Sequence, residues 1–238
     1  MPTLIKIAGL LLPLLFGSFA ALAEPMPALG LAERQSWVAV GPVNAAGYRS
    51  KASCTGTLIA PDLVVTAAHC VGGTRHFVAG WDRGSFAAHR VAAEAFVHPG
   101  YPGSEGQARL RYDVAVLQLE TAIAPRLVAP LQLNDDPALR SGALSVLGYH
   151  RERPHVLNGR DDCAVLSEPV EPILMLGCEV IAGNSGGPVL AQTDIGWAVV
   201  AIVSARTSGP TSRALTVPVD DWLMEQWRAA MDRAAASQ

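Results

Sequence analysis

The sequence predicts an all-β chain, a sandwich or barrel, closed by a single C-terminal helix. Three observations carry this expectation: strand-length apolar or alternating runs recur from residue 36 to 219, turn residues stand between them, and helical periodicity emerges only at the end. In order the runs are "SWVAVG", "CTGTLIA", "LVVTAAHC", "HFVAGW", "AHRVAAEAFVH", "DVAVLQLE", "ALSVLGYH", "GPVLAQ", "GWAVVAIVSA" and "ALTVPV". The punctuation between them, "APD", "GG", "HPGYPGSEG", "NDDP" and "TSGPTS", supplies the Gly, Pro, Asn and Asp that reverse a chain. "HVLNGRDDC" and "RTSGPTSR" read as loops. The connection "ETAIAPRLVAP", with Pro125 and Pro130, separates two strand-rich halves at 37–123 and 124–219. In the tail, 220–238, Asp220 or Asp221 caps a helix after Pro218, and Leu223, Trp227 and Met231 recur at four-residue steps along one face.

The first 23 residues have one lysine, a short apolar run broken by Pro13 and Gly17, and small residues at Ala21 and Ala23. This reads as a secretory signal peptide cut after Ala23; the apolar run is too short to favour a stable membrane anchor. Residues 24–36 follow as a leader without periodicity, extended or mobile. A secreted or periplasmic location is therefore expected.

With 50% hydrophobic residues in a 238-residue chain, there is ample material for buried cores, which excludes a disordered protein. Formal net charge is −3 and the basic residues are dispersed, so no nucleic-acid footprint is present. The 4 cysteines, at 54, 70, 163 and 178, form an even set suited to disulfides in an oxidising compartment. All three pairings remain open. The sequential one, Cys54 with Cys70 and Cys163 with Cys178, closes two short loops, each worth about 3 kcal/mol of chain entropy. No cysteines stand at zinc-site spacing, and His76, His89, His98, His150 and His155 are scattered; no metal or cofactor is expected.

Three short motifs carry chemistry. In "GNSGGP" a serine hydroxyl sits among glycines at 183, 186 and 187, whose backbone freedom allows a sharp bend and close substrate approach. A hydroxyl is a weak nucleophile and needs a base and a group that orients the base. "TAAHC" places His69 at the end of a strand beside Cys70, and "RYDVAVLQL" places Asp113 at the start of another. The amides of Gly183 and Ser185 can converge on a developing oxyanion. Chain order then separates architectures. "GNSGG" also fits the G-x-S-x-G elbow of α/β-hydrolases, but those need a histidine after the serine, and the last histidine here is His155. An aspartate preceding the histidine, as in the subtilisin order, is offered only by Asp62 in a turn. The order His69, Asp113, Ser185 remains.

At these motifs the chain resembles the trypsin/chymotrypsin superfamily, particularly its bacterial secreted or periplasmic trypsin-like members. The resemblance rests on "CTGTLIAPDLVVTAAHC", "VHPGYPGSEGQARLRYDVAVLQLE" and "AGNSGGPVL" and extends from Trp37 to Trp227. It implies two six-stranded antiparallel β-barrels with the site in the cleft between them, His69 and Asp113 on the first and Ser185 on the second. It also implies hydrolysis of peptide bonds in a protein or peptide substrate through an acyl-enzyme, with Ser185 as nucleophile, His69 as general base and Asp113 as its orienting partner. His98 belongs to the "HPGY" loop of that pattern. The substrate pocket falls near Glu179 at its base and Ser204 on one wall.

The chain also departs from the pattern. Animal trypsin-like enzymes carry an aspartate before the serine, which pairs with a new N-terminal ammonium after zymogen cleavage; here that position is Asn184, and "AERQSWVAVG" lacks the start that such cleavage exposes. The expectation is a chain competent after signal removal, with at most the leader trimmed. A catalytically silent homologue serving as a binding or scaffold protein, and an esterase using the same triad, are the alternatives.

Overall fold

The computed structural model describes residues 25–49, 54–209 and 212–236, excluding the side chains of 167–170; the expected signal peptide lies outside these residues. The first half supplies β1 (Val40–Asn44), β2 (Cys54–Ala60), β3 (Leu63–Thr66), β4 (His76–Ala79), β5 (Ala88–Val97) and β6 (Ala115–Leu119). They close into an antiparallel barrel in the order β1-β2-β3-β6-β5-β4. The second half supplies β7 (Gln132–Leu133), β8 (Ala143–His150), β9 (Arg153–Val170), β10 (Ile173–Leu176), β11 (Pro188–Thr193), β12 (Gly196–Arg206) and β13 (Ala214–Pro218). Six of these close as β8-β9-β10-β13-β12-β11, while β7 lies parallel to β12 as an extra edge. The fold is thus the expected pair of six-stranded antiparallel barrels with a C-terminal helix.

Several strands read as continuous apolar runs because both of their faces are buried, in different places. In β2, Leu58 enters the first barrel's core while Ile59 enters the layer shared by the barrels and the C-terminal helix; Val64 and Val65, and Leu117 and Val116, divide likewise. In the second barrel Val189 faces its core with Leu176 and Val200, and Leu190 faces the shared layer. Period-2 alternation therefore persists, between two apolar environments instead of core and water. Each such side chain contributes roughly 1.5–3 kcal/mol on burial, so the interface between barrels is as much core as the barrels themselves.

Strands β9 and β10 correct the sequence reading. "HVLNGRDDC" is not a loop but the middle of β9, the longest strand. Asn158-Gly159 has the composition of a turn, yet Asn158 is fully buried and its amide donates to the carbonyl of Val156 at 2.8 Å. At Gly159 any side chain would meet Leu147 and Leu29, so glycine there reflects close packing.

The leader is likewise built into the fold. Met26 is buried, its carbonyl accepts from His150 Nε2 and Arg153 Nη1, and Leu29 N and Gly159 N make backbone bonds to Leu157 and Pro27. Helix α1 (Leu31–Ser36) follows, with Glu33 accepting from Gly30 N, and Arg34 pairs with Asp82 of the first half at 3.2 Å. Residues 25–36 therefore bridge both barrels.

This attachment is pH-sensitive. Arg153 N donates to His150 Nδ1, which requires that nitrogen unprotonated, and burial holds the imidazole below its ordinary value, outweighing the favourable Met26 carbonyl. An unfolded His150 takes up a proton before the folded one does, so its contribution is complete above about pH 6.5 and is lost as pH falls below it. Hydrogen exchange at Leu29 and Gly159, corrected for intrinsic rate, should show protection declining from pH 7.5 to 5.5; protection independent of pH would contradict this.

After the short α2 (Gly106–Leu110), the C-terminal α3 (Asp221–Ala236) is capped by Asp220, whose carboxylate accepts from Leu223 N at 2.9 Å. Its buried residues are Leu223, Met224 and Ala230, with Trp227 partly buried and donating from Nε1 to Ile59 O at 2.8 Å. Met231 is largely solvent-facing, contrary to the four-residue pattern. The helical repeat of 3.6 residues carries it off the stripe that Ala230 occupies.

Candidate active site

His69 lies in a 3-10 turn, Ala68–Cys70, at the end of β3. A disulfide joins Cys70 to Cys54 at the start of β2, with Cα atoms 6.1 Å apart, so the turn is tied covalently to the neighbouring strand. Cys163 and Cys178 form the second disulfide, completing the sequential pairing. Asp113, just before β6, is buried and accepts twice from one residue: His69 N at 2.9 Å to Oδ1 and His69 Nδ1 at 2.7 Å to Oδ2. A carboxylate accepts only, so Nδ1 carries the proton and the neutral ring presents a bare Nε2. Burial by itself would raise the Asp113 carboxyl, but the hydrogen bonds from His69 and Ser204 hold it below its ordinary value.

Ser204, expected on a pocket wall, also contacts Asp113. Its hydroxyl donates to Asp113 Oδ2 at 2.5 Å, so the second barrel steadies a carboxylate carried by the first. Ser185 stands on the turn before β11, with its hydroxyl donating to Ser204 O at 3.4 Å. Among the described residues it makes no hydrogen bond to His69.

The bend around Ser185 is held by contacts that leave two donors unused. Gly183 has φ +108°, with the backbone of Tyr149 and His150 packed where a Cβ would project. Asn184 N, Gly186 N and Gly187 N all bond to backbone carbonyls, while Gly183 N and Ser185 N have no acceptor among the described residues. Asn184 itself is buried: its Oδ1 accepts from Ile181 N at 2.9 Å and its Nδ2 donates to Tyr149 O at 3.3 Å. A carboxylate offers no donor for the Tyr149 carbonyl, so an amide suits this position and an acid would need a cation from elsewhere.

Sequence reasoning missed Thr55. Its N–H donates to Ser185 O at 2.8 Å, its hydroxyl donates to Gly183 O at 2.8 Å, and it accepts from Tyr149 N at 2.9 Å. One fully buried residue of the first barrel thus pins the serine loop of the second. Its only local signal is a polar side chain in a largely apolar strand, one shared with the equally buried Thr57.

Two cavities flank the site. One of about 430 Å³ is bordered by His69, Asp113, Tyr101, Arg109 and Ser204. The other, about 320 Å³, is bordered by Ser185, Val180, Ile181, Val203, Arg151 and Arg206. Glu179, expected at a pocket base, is half-buried and does not border either. His98 supports the "HPGY" loop, accepting from Gly100 N and lying 3.2 Å from the Asp220 carboxylate.

Residues 54–202 match the family described as trypsin-like peptidase domain. A curated protein of Saccharopolyspora erythraea named trypsin is 31% identical over 205 residues, spanning 74% of this chain and 87% of that relative.

Proposed function

Because the chain belongs to the trypsin-like peptidase family, we propose that it is an exported serine endopeptidase in which Ser185, His69 and Asp113 act as nucleophile, base and orienting carboxylate. The observation that carries this reading is the double hydrogen bond from His69 to the buried Asp113, which leaves Nε2 without a hydrogen-bond partner among the described residues. Ser185 Oγ attacks the peptide carbonyl as Nε2 takes its proton, and the N–H groups of Gly183 and Ser185 receive the oxyanion. The imidazolium, stabilised by Asp113, then protonates the leaving amine and the C–N bond breaks, leaving an acyl-serine. Water, deprotonated by Nε2, reverses the sequence and releases the acid.

Further features support the finer points. Disulfides at Cys54–Cys70 and Cys163–Cys178 suit an oxidising compartment. Among the described residues no helix is long and apolar enough to cross a membrane. Asn184 is satisfied by backbone partners, so the serine loop needs no new N-terminal ammonium, and activity in the untrimmed chain follows. Residues 25–36 are retained in this reading, because removing them would uncover His150 and the packing around Leu157 and Gly159.

Treatment of chain beginning at residue 24 with a fluorophosphonate probe should give one adduct, mapped by mass spectrometry to Ser185 and lost in Ser185→Ala. Absence of the adduct, or its survival in that variant, would overturn the assignment.

A further inference from the structure

We propose that the cavity beside Ser185 accepts a substrate side chain ending in a carboxylate, held between Arg151 and Arg206. This rests on the serine-peptidase reading and names the substrate class for that site.

Ser185 borders the cavity itself, so the residue whose carbonyl it attacks has this space within reach of its side chain. Val180, Ile181 and Val203 offer apolar walls suited to a methylene stem. The charged groups on the border are Arg151 and Arg206, without any carboxylate. Each is fixed at its backbone. Arg151 N donates to Ala182 O at 2.9 Å, and Arg206 is paired with Ala214 at the end of β12.

Among the described residues neither guanidinium has a hydrogen-bond or ion-pair partner, and both side chains are exposed. Nearby Arg213 differs, since it is engaged by Gly177 O at 2.8 Å. Two unspent, planar, permanently charged donors at the border of one cavity match the acceptor pattern of a carboxylate, which takes bidentate bonds from such groups. The same pair repels a lysine or arginine side chain, because like charges brought together across a binding surface are costly. Substrates carrying Glu or Asp before the cleaved bond are therefore selected.

The test uses three fluorogenic peptides identical except for Glu, Gln or Lys before the scissile bond, with active enzyme counted by fluorophosphonate labelling. For the wild type kcat/KM should be about tenfold or more higher for Glu than for Gln, the order expected for a partly solvated charge-assisted contact, and lowest for Lys. In Arg151→Gln/Arg206→Gln the Glu-to-Gln ratio should fall to near one. Labelled wild type that shows no preference for Glu, that cleaves none of the three, or whose preference survives in the double variant would overturn this proposal alone. An unlabelled Ser185 with no cleavage would overturn the peptidase reading, and this proposal with it.

Discussion

Asp113→Asn is expected to lower kcat by about 10⁴-fold with the fold preserved. The substitution is nearly isosteric, but the present carboxylate accepts from His69 N, His69 Nδ1 and Ser204 Oγ. An amide has one acceptor atom and two protons. With its nitrogen toward the ring it forces the proton onto Nε2, so the base needed by Ser185 is protonated before the reaction begins. With its nitrogen toward His69 N, two donors oppose one another. The first arrangement removes the productive tautomer and the second sets two donors against each other at the carboxylate's place, and the energetic equivalent of 10⁴ is about 5.5 kcal/mol of barrier. Steady-state kinetics on a cleaved peptide and the rate of phosphonate labelling should fall together, with circular dichroism unchanged. A decrease below about tenfold would remove Asp113 from the proposed mechanism.

Gly186→Ala is expected to be the most damaging single substitution to the architecture of the site. Gly186 has φ +81°, and an added Cβ would lie 2.2 Å from both Thr55 O and Thr66 Oγ1 and 2.9 Å from Ala67 N. Two of those atoms are backbone, Thr55 O in β2 and Ala67 N in the segment leading to His69, which is itself bonded to Asp113, so they have little room to yield. Overpacking of this kind together with an unfavourable dihedral costs on the order of 3–5 kcal/mol. For a chain of this size that corresponds to a fall in Tm of about 10 °C or more. Gly196→Ala is the informative control, because φ there is +126° but nothing lies within 4 Å of the added atom. Its smaller effect should isolate the backbone term. Equal effects in scanning calorimetry would mean that contact with the first barrel is not what limits residue 186.

The predictions separate chemistry from assembly because the structure does. His69 and Asp113 come from one barrel, Ser185 from the other, and the parts are aligned by hydrogen bonds that cross between them. Thr55 holds the serine loop through Ser185 O and Gly183 O, while Ser204 returns a bond to Asp113. Loss of either is therefore expected to act on alignment, leaving the reacting groups themselves in place.

Much of this was legible in the linear chain, for local reasons. Strand-length apolar runs with turn chemistry between them determined the β class, and Asp220 with Leu223 and Trp227 marked the final helix. Ser185, His69 and Asp113 stood out as a candidate nucleophile, base and orienting acid in a chain order that excluded two other architectures. What local chemistry could not decide was which polar residues turn inward. Asn158-Gly159 and Asp161-Asp162 have turn composition, yet pairing with β8 and β10 draws them into β9. The leader lacks periodicity because partners distant in sequence, His150, Arg153 and Leu157, satisfy its backbone. Ser204 meets Asp113 across 91 residues, and Arg151 and Arg206 reach one cavity from different strand ends. The sequence alone determined the class of fold and singled out the proposed trio, since periodicity, turn chemistry and chain order are written locally. Only the tertiary structure decided how that trio is held and which charges border its cavity, because hydrogen bonding and electrostatics depend on proximity that a linear order does not contain.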